Sequence, residues 1–283
     1  MAIGIGVNSW VWISPFTTES LGLLSKAKSM GFDSFEFAVE DPSHFNAEKT
    51  KDAIKDSGLR PIVCGAFGPS RDLTHEDPKF RAESIAYIRD TVKLCKTWGA
   101  KVMCGPMYSA VGKRRHVSPE QKKVEWDLAV KGLKEAGKIA ADNGVVLAIE
   151  PLNRFETDLV NTAEQCVRLV RDVGVDAVRI HLDTFHMNIE EDSIYAAVKL
   201  AGKSLAHIHA CECNRGTPGN GLVDWKGLAR GLSEINYSGD AVIESFTPEC
   251  KAIAAAAAIW RPLAKTQDEL ASNGCKFLKS LLK

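Results

Sequence analysis

The chain has 283 residues, which is enough for one large α/β barrel or for two ordinary domains. Its 36 lysines and arginines balance its 36 aspartates and glutamates, and this zero net charge argues against a nucleic-acid-binding protein. The start, MAIGIGVNSW, has no basic region followed by a long apolar run, and no apolar stretch is long enough to cross a bilayer. We therefore expect a cytoplasmic protein with reduced cysteines and no membrane or nucleic-acid partner.

Short apolar runs alternate with longer amphipathic segments along the chain, in eight pairs. The predicted strands are residues 3–7, 34–37, 60–64, 101–105, 145–150, 178–183, 206–210 and 240–244. The predicted helices are residues 18–30, 47–57, 79–98, 120–143, 162–172, 194–200, 225–235 and 260–282. Several of these helices are followed by a glycine, as at Gly58 and Gly99, which is the residue that commonly closes a helix. Strand alternating with helix predicts a parallel sheet.

Eight strand–helix units predict a single (β/α)8 TIM barrel that covers residues 1–283. An open, doubly wound sheet is the alternative, but no Gly-x-Gly-x-x-Gly follows the first strand and no P-loop appears. The longest stretches without periodicity follow strands, at residues 65–78, 106–119 and 211–224. In a barrel these loops lie on the face that carries the active site. The GTPGNG sequence at residues 216–221 suggests a lid.

Four residues that can bind a metal end four successive apolar runs. Glu150 ends VVLAIE, Asp183 ends VRIHLD, His209 ends LAHIH and Glu244 ends DAVIE. Each residue taken alone has a purely structural explanation, such as a helix cap for Asp183 or a core position for His209. The same placement in four consecutive units has no common packing explanation. Because strand ends converge in a barrel, the four residues predict a site for a divalent metal such as Mn²⁺, Mg²⁺ or Co²⁺.

Other polar residues share the interior face of the same strands. His181 and His207 each lie two residues before a proposed ligand and therefore point to the same side of the strand. We interpret both as interior residues that orient the ligands, and Arg179 as the partner of an interior carboxylate. We expect Cys211 and Cys213 to pack rather than to bind zinc, because they adjoin a site of oxygen and nitrogen ligands.

Three more polar residues follow these strands in segments that we place in loops. Glu156 lies in EPLNRFE after the fifth strand, His186 in LDTFHMNIEED after the sixth, and Arg215 in HACECNR after the seventh. A carboxylate, an imidazole and a guanidinium beside a metal are suited to binding a hydroxylated substrate. The alternative for Glu156 is a surface salt bridge with Arg154 or Arg215.

EPLNRFE, LDTFHMNIEED and HACECNR closely resemble segments of the ketose 3-epimerases, the D-tagatose and D-psicose (allulose) 3-epimerase group of the xylose-isomerase-like barrels. The resemblance extends from the first strand to the C-terminal helix. It implies Mn²⁺ or Co²⁺ bound by the four strand-end residues, and substrate contacts from Glu156, His186 and Arg215. It also implies that Cys64 lies near the far end of the sugar, and that the protein is a homodimer or homotetramer.

The resemblance implies inversion of C3 in free ketoses of the D-tagatose, D-psicose, D-fructose or L-ribulose type, through a cis-enediolate. A divalent metal would polarise the ketone, and Glu150 and Glu244 would remove and return the proton on opposite faces of the sugar. Two departures concern the sugar preference. The first strand leads into VNSWVW, where many relatives carry tyrosine or phenylalanine, and Ser245 stands where proline is usual.

Several other functions use a similar barrel or a similar site. An aldose–ketose isomerase, or an isomerase or lyase of 3-keto-glycosides, would keep the fold and change the chemistry. A metal-dependent DNA-repair endonuclease would need several metals, more histidines and a basic groove, which the balanced charge disfavours. A non-catalytic sugar- or metal-binding module would bind the metal without exchanging protons between solvent and any sugar.

Overall fold

The structure is a computed structural model that describes residues 3–283. Eight parallel strands form a closed barrel in chain order, and β1 pairs with both β2 and β8. The strands are β1 Gly4–Asn8, β2 Ser34–Val39, β3 Arg60–Gly65, β4 Val102–Gly105, β5 Val146–Ile149, β6 Val178–Asp183, β7 Leu205–His209 and β8 Asp240–Ile243. The predicted (β/α)8 TIM barrel is therefore confirmed, and the open doubly wound sheet is excluded.

Helices surround the barrel and connect its strands. They are α1 Gly22–Ser29, α2 Ala47–Ser57, α3 Pro78–Trp98, α4 Pro119–Asp142, α5 Ala163–Val173, α6 Thr184–Glu190, α7 Ile194–Ala201, α8 Trp225–Glu234, α9 Lys251–Ala256 and α10 Gln267–Leu282. The predicted glycine ends are confirmed at Gly58 (φ 63°) and Gly99 (φ 77°), where a left-handed backbone closes α2 and α3. Within the described residues, no helix has the length and apolar character that crossing a bilayer requires.

The helix boundaries differ from the sequence prediction in four places, of which the first is that the helix predicted for residues 18–30 begins only at Gly22, after a 3-10 turn at Thr18–Ser20. The short helices α6 and α9 were not predicted, and the last predicted helix, 260–282, begins only at Gln267. Side-chain capping explains two of these differences. The Asp183 carboxylate accepts the N–H of Phe185 and starts α6 at the end of β6, and the Thr266 hydroxyl accepts the N–H of Glu269 and starts α10.

The strands are buried on both faces, and the two faces differ in chemistry. Every residue of β2, SFEFAV, is buried. Phe35 and Phe37 share one side of this strand and lie 5.0 Å apart, and Phe37 packs against Trp98 of α3. Because side chains alternate along a strand, Glu36 points to the other side, into the barrel. The barrel therefore has an apolar layer under its helices and polar groups inside.

One buried carboxylate holds the loop that follows β7. Glu212 is fully buried, and its carboxylate accepts the N–H groups of Gly219 at 2.9 Å and Val223 at 3.1 Å and the indole N–H of Trp225 at 3.1 Å. Its main-chain carbonyl accepts the N–H of Arg215 at 2.8 Å. This residue therefore connects the loop to the start of α8 and fixes the backbone that carries Arg215.

We predict that Glu212→Ala lowers the free energy of unfolding by about 3 kcal/mol or more, because it leaves several buried donors without an acceptor. Glu212→Gln keeps one acceptor oxygen, so its free energy of unfolding should fall clearly less than that of Glu212→Ala. Urea denaturation followed by circular dichroism measures both changes. An alanine variant within about 0.5 kcal/mol of the wild type, the range of ordinary surface substitutions, would contradict this role.

Candidate active site

The four predicted strand-end residues meet above the carboxyl ends of β5 to β8. Asp183 and His209 are the last residues of β6 and β7, and Glu150 and Glu244 directly follow β5 and β8. His209 Nδ1 lies 3.9 Å from Glu150 Oε1, 3.8 Å from Asp183 Oδ2 and 3.5 Å from Glu244 Oε2. All four side chains are buried. The structure therefore brings the whole predicted set together around one imidazole nitrogen.

The donor atoms of this set fit a divalent cation. Among the described residues, His209 Nδ1 has no hydrogen-bond partner although it is buried. The other ring nitrogen, Nε2, lies 2.8 Å from Glu36 Oε1. Because an ionised carboxylate only accepts, we assign a proton to Nε2, so Nδ1 is the nitrogen whose lone pair a cation would bind in place of a proton. One nitrogen and three carboxylates form a ligand set that Mn²⁺, Co²⁺ or Mg²⁺ can use.

The electrostatics of the set favour positive charge at this point. Burial, together with the neighbouring carboxylates of Glu244 and Asp183, raises the pKa of Glu150 well above its ordinary value. Burial acts to raise the pKa of Asp183, but the positive charge of Arg215 outweighs the effect of burial and holds this pKa well below the ordinary value. Burial lowers the pKa of His209, yet the surrounding carboxylates raise it well above the ordinary value. Three converging carboxylates therefore attract a cation.

Glu36 is a site residue that the sequence analysis missed. It lies in the middle of β2 and is fully buried. Besides its contact with His209, its Oε2 lies 2.7 Å from His207 Nε2, and Asn8 Nδ2 donates to its Oε1 at 2.7 Å. Burial raises the pKa of Glu36, but the two histidines hold it well below the ordinary value. The available signal was a single charged residue at an inward position of an apolar strand.

The remaining interior polar residues divide into one confirmed and one wrong prediction. His181 and His207 are buried inside the barrel, with their rings 4.9 Å apart, as their position on the strands predicted. Burial, followed by the neighbouring histidines, lowers the pKa of His181 well below its ordinary value. Arg179 does not pair with an interior carboxylate, because it is exposed near the start of β6, away from the ligands.

Arg215 is the cationic side chain that reaches the proposed ligands. Its Nη1 lies 2.5 Å from Asp183 Oδ2 and 2.9 Å from Glu244 Oε2. Its guanidinium stacks over the ring of Phe185 at 4.1 Å. The backbone of Arg215 is left-handed, with φ at 61°, and Ser245 Oγ donates to its carbonyl at 2.6 Å. The side chain is therefore held from three directions.

His186 lies on α6 and not in a loop as predicted, because the cap at the end of β6 starts that helix at once. Its Nδ1 accepts the backbone N–H of Asn153 at 3.1 Å. Because Nδ1 already accepts this bond, we assign the proton to Nε2, which lies 3.3 Å from Arg215 Nη2 and 3.7 Å from Glu150 Oε1. Burial lowers the pKa of His186, which keeps the ring neutral and leaves Nε2–H as a donor towards the site.

Glu156 lies in the loop after β5, as predicted, and is half-buried. Asn153 Nδ2 donates to its Oε1 at 2.9 Å. The alternative surface pair with Arg154 does not form, because Arg154 pairs with Glu190 at 2.9 Å. Glu156 is therefore held in place by an uncharged neighbour, and its carboxylate can accept from a ligand.

A cavity of about 550 Å³ opens above these residues. Every predicted substrate contact lines it, together with both proposed catalytic residues: Glu156, His186, Arg215, Cys64, Glu150 and Glu244. In the described part of the chain, Arg215 is the one residue of the loop at 211–224 that lines the cavity. Three residues of α9 also line it: Ala252, Ile253 and Ala256. The α9 helix therefore forms part of the cavity wall, whereas none of the residues of the GTPGNG segment, suggested as a lid, lines the cavity.

Cys64 stands near the end of β3, beside Cys104 of β4. The hydrogen bond with Cys104 lowers the pKa of Cys64, but burial and the charge of Glu36 outweigh it and raise the pKa to about 11. A thiol that stays protonated is a contact surface and not a nucleophile.

The comparisons with known proteins agree with this geometry. The family model described as a xylose isomerase-like TIM barrel matches residues 24–281. The chain is 32% identical to the D-psicose 3-epimerase of Ruminiclostridium cellulolyticum over 93% of this chain and 91% of that one. It is 30% identical to the L-ribulose 3-epimerase of Mesorhizobium japonicum over 97% and 92% of the two chains.

A solved structure supports the same assignment. The crystal structure of the D-allulose 3-epimerase from Methylomonas sp. aligns with a TM-score of 0.94 at 29% identity, over 99% of this chain and 98% of that one. The chain therefore belongs to the xylose isomerase-like TIM barrel family, and its predicted kinship with the ketose 3-epimerases, which are isomerase-class enzymes, is confirmed.

Proposed function

We propose that this protein inverts C3 of free ketoses and uses a divalent metal held by Glu150, Asp183, His209 and Glu244. The observation that carries the proposal is the placement of His209 Nδ1, which faces three carboxylates at 3.5 to 3.9 Å beneath the cavity. The relatives support the substrate class, because two related epimerase structures are described with D-allulose and D-tagatose. Mn²⁺ is the preferred ion, and Co²⁺ or Mg²⁺ are the alternatives.

The reaction needs one proton removed from C3 and one returned on the opposite face. A divalent metal held by Glu150, Asp183, His209 and Glu244 would polarise the ketone and make this proton more acidic. In our proposal one carboxylate of the pair Glu150 and Glu244 takes the proton, and the other, in its acid form, donates a proton from the opposite side.

The other cavity residues would bind and orient the sugar. The Nε2–H of His186 and the guanidinium of Arg215 are donors for substrate oxygens, and Glu156 is an acceptor for a hydroxyl group. Both donors are already held by protein contacts, so they need little reorganisation when the sugar binds. The α9 helix would limit access of water to the cis-enediolate.

A panel of ketoses in heavy water with added Mn²⁺ tests the reaction. We expect deuterium at C3 and a new ketose, because the returned proton comes from a carboxylate that exchanges with solvent. Sugar chromatography and NMR measure both. An aldose product with label at C1 or C2 would contradict the proposal and indicate an aldose–ketose isomerase. Metal binding without label in any sugar would indicate a binding module.

We predict that Glu150→Gln and Glu244→Gln each abolish epimerisation, since a positioned acid or base contributes about 10²–10⁴-fold. Each variant keeps one base, so each should still exchange the C3 proton of one epimer only. Isotope exchange from both epimers measures this, and metal content is determined in parallel to separate lost proton transfer from lost metal. Normal turnover in either variant removes that residue from the acid/base pair.

We further predict that Glu36→Gln weakens Mn²⁺ binding about 10–100-fold, because it removes the charge that holds His209 Nε2–H. Titration of the metal-free protein with Mn²⁺, followed by electron paramagnetic resonance, measures the Kd directly. Asn8→Ala is the matched control, since it removes another partner of Glu36 and leaves the contact with His209. Equal Kd values for the wild type and Glu36→Gln would show that Glu36 does not support the ligand.

A further inference from the structure

Three polar residues line the wall of the cavity that faces the proposed ligands. Ser14, Glu40 and Arg71 lie in the connections after β1, β2 and β3, and all three line the cavity that also contains the proposed acid/base pair. In a closed barrel of eight strands, β2 is diametrically opposite β6, the strand that ends at Asp183. We call these three residues the distal cluster, because the cavity separates them from the reacting centre.

Glu40 is held in place by one of its carboxylate oxygens. Oε1 accepts the indole N–H of Trp10 at 2.9 Å and the hydroxyl of Ser14 at 2.6 Å. Oε2 accepts no hydrogen bond from any residue between 3 and 283. The carboxylate is therefore ordered, and its second oxygen remains available to a donor in the cavity.

Arg71 is likewise held in place by protein contacts and still has N–H groups available to donate. Its Nη1 donates to the carbonyl of Ala66 at 2.7 Å, and its guanidinium stacks on the ring of Tyr87 at 3.7 Å. In the described part of the chain, no carboxylate pairs with it within the distance of a salt bridge. The distal cluster therefore offers a free acceptor and free donors, which is the combination that a hydroxyl group satisfies.

The charge of the cavity favours a neutral ligand. Four carboxylates line it against two guanidiniums: Glu40, Glu150, Glu156 and Glu244 against Arg71 and Arg215. A divalent cation at the proposed metal site would balance this excess of negative charge. A phosphate group at the far end would add charge beside Glu40 and raise the cost of binding.

We propose that the distal cluster binds the terminal hydroxyl of the ketose, at the end remote from the reacting carbonyl. Glu40 Oε2 accepts the hydroxyl proton, and Arg71 donates to the hydroxyl oxygen. This inference rests on the proposed function, because placing C3 between Glu150 and Glu244 directs the other end of the sugar towards β1 to β3. The cluster selects ketohexoses with a free 6-hydroxyl over their 6-deoxy and 6-phosphate counterparts.

The test compares kcat/KM for the best ketohexose substrate with that for its 6-deoxy and 6-phosphate analogues. We expect the wild type to prefer the ketohexose over the 6-deoxy analogue by about tenfold or more, the size of a hydrogen bond to a charged group. In Glu40→Gln the amide oxygen still serves Trp10 and Ser14, but an NH₂ donor replaces the free acceptor. This variant should lose most of the preference for the ketohexose over its 6-deoxy analogue, and the loss should appear mainly in KM.

Two further variants complete the design. Glu76→Gln removes an exposed acid outside this cavity and should keep the wild-type preference. Arg71→Lys keeps the positive charge but loses the planar guanidinium. It should also lower the preference for the ketohexose over its 6-deoxy analogue. A wild type that does not discriminate against the 6-deoxy analogue, or a Glu40→Gln variant that keeps the full preference, overturns the inference and leaves C3 epimerisation standing. A wild type that converts no ketose overturns both.

Discussion

The active face of this barrel depends on three carboxylates that are buried around a single imidazole nitrogen. Burying an ionised group without a partner costs several kcal/mol, so Glu150, Asp183 and Glu244 need positive charge beside them to remain ionised together. Arg215 supplies part of that charge from the protein. The divalent cation of our proposal supplies the rest. The same concentration of charge that destabilises the site therefore makes it selective for a cation.

The barrel explains how such a site can persist. Its apolar residues face the helices, as Phe35 and Phe37 do on β2, and this outer core carries the stability. The interior is then free to hold polar groups that orient the ligands. Glu36 reaches from β2 to His207 and His209 on β7, so two strands that are far apart in the sequence fix one imidazole ring. Without the contact between Glu36 and His209, the imidazole ring would be free to rotate, and Nδ1 would no longer point towards the three carboxylates.

The sequence predicted the local features of this arrangement and missed those that depend on distance across the barrel. Strand periodicity placed Glu150, Asp183, His209 and Glu244 at the correct ends, because a strand end is a local property. Glu36 was missed because its partners lie on β7, and no local sequence pattern predicts a contact between β2 and β7. Alternation along the strand indicated only that it points inward.

The loops show the same limit. The short helix α6 was not predicted, although a helix cap was one interpretation of Asp183, whose side chain does cap the helix that carries His186. The composition of the GTPGNG segment suggests a lid, but the carboxylate of Glu212 accepts a hydrogen bond from Gly219 in this segment, and α9 contributes to the cavity wall instead. The alanine-rich sequence of α9 gave no sign of what it packs against.

The most direct test of the central claim is a crystal structure of the protein soaked with Mn²⁺ and a ketose, with anomalous data collected at the manganese edge. Our account predicts a single strong anomalous peak at about the distance of a metal–ligand bond, roughly 2.0–2.3 Å, from one oxygen each of Glu150, Asp183 and Glu244 and from His209 Nδ1. A map with no peak between these four side chains, with the Arg215 guanidinium still bridging Asp183 and Glu244, would contradict it.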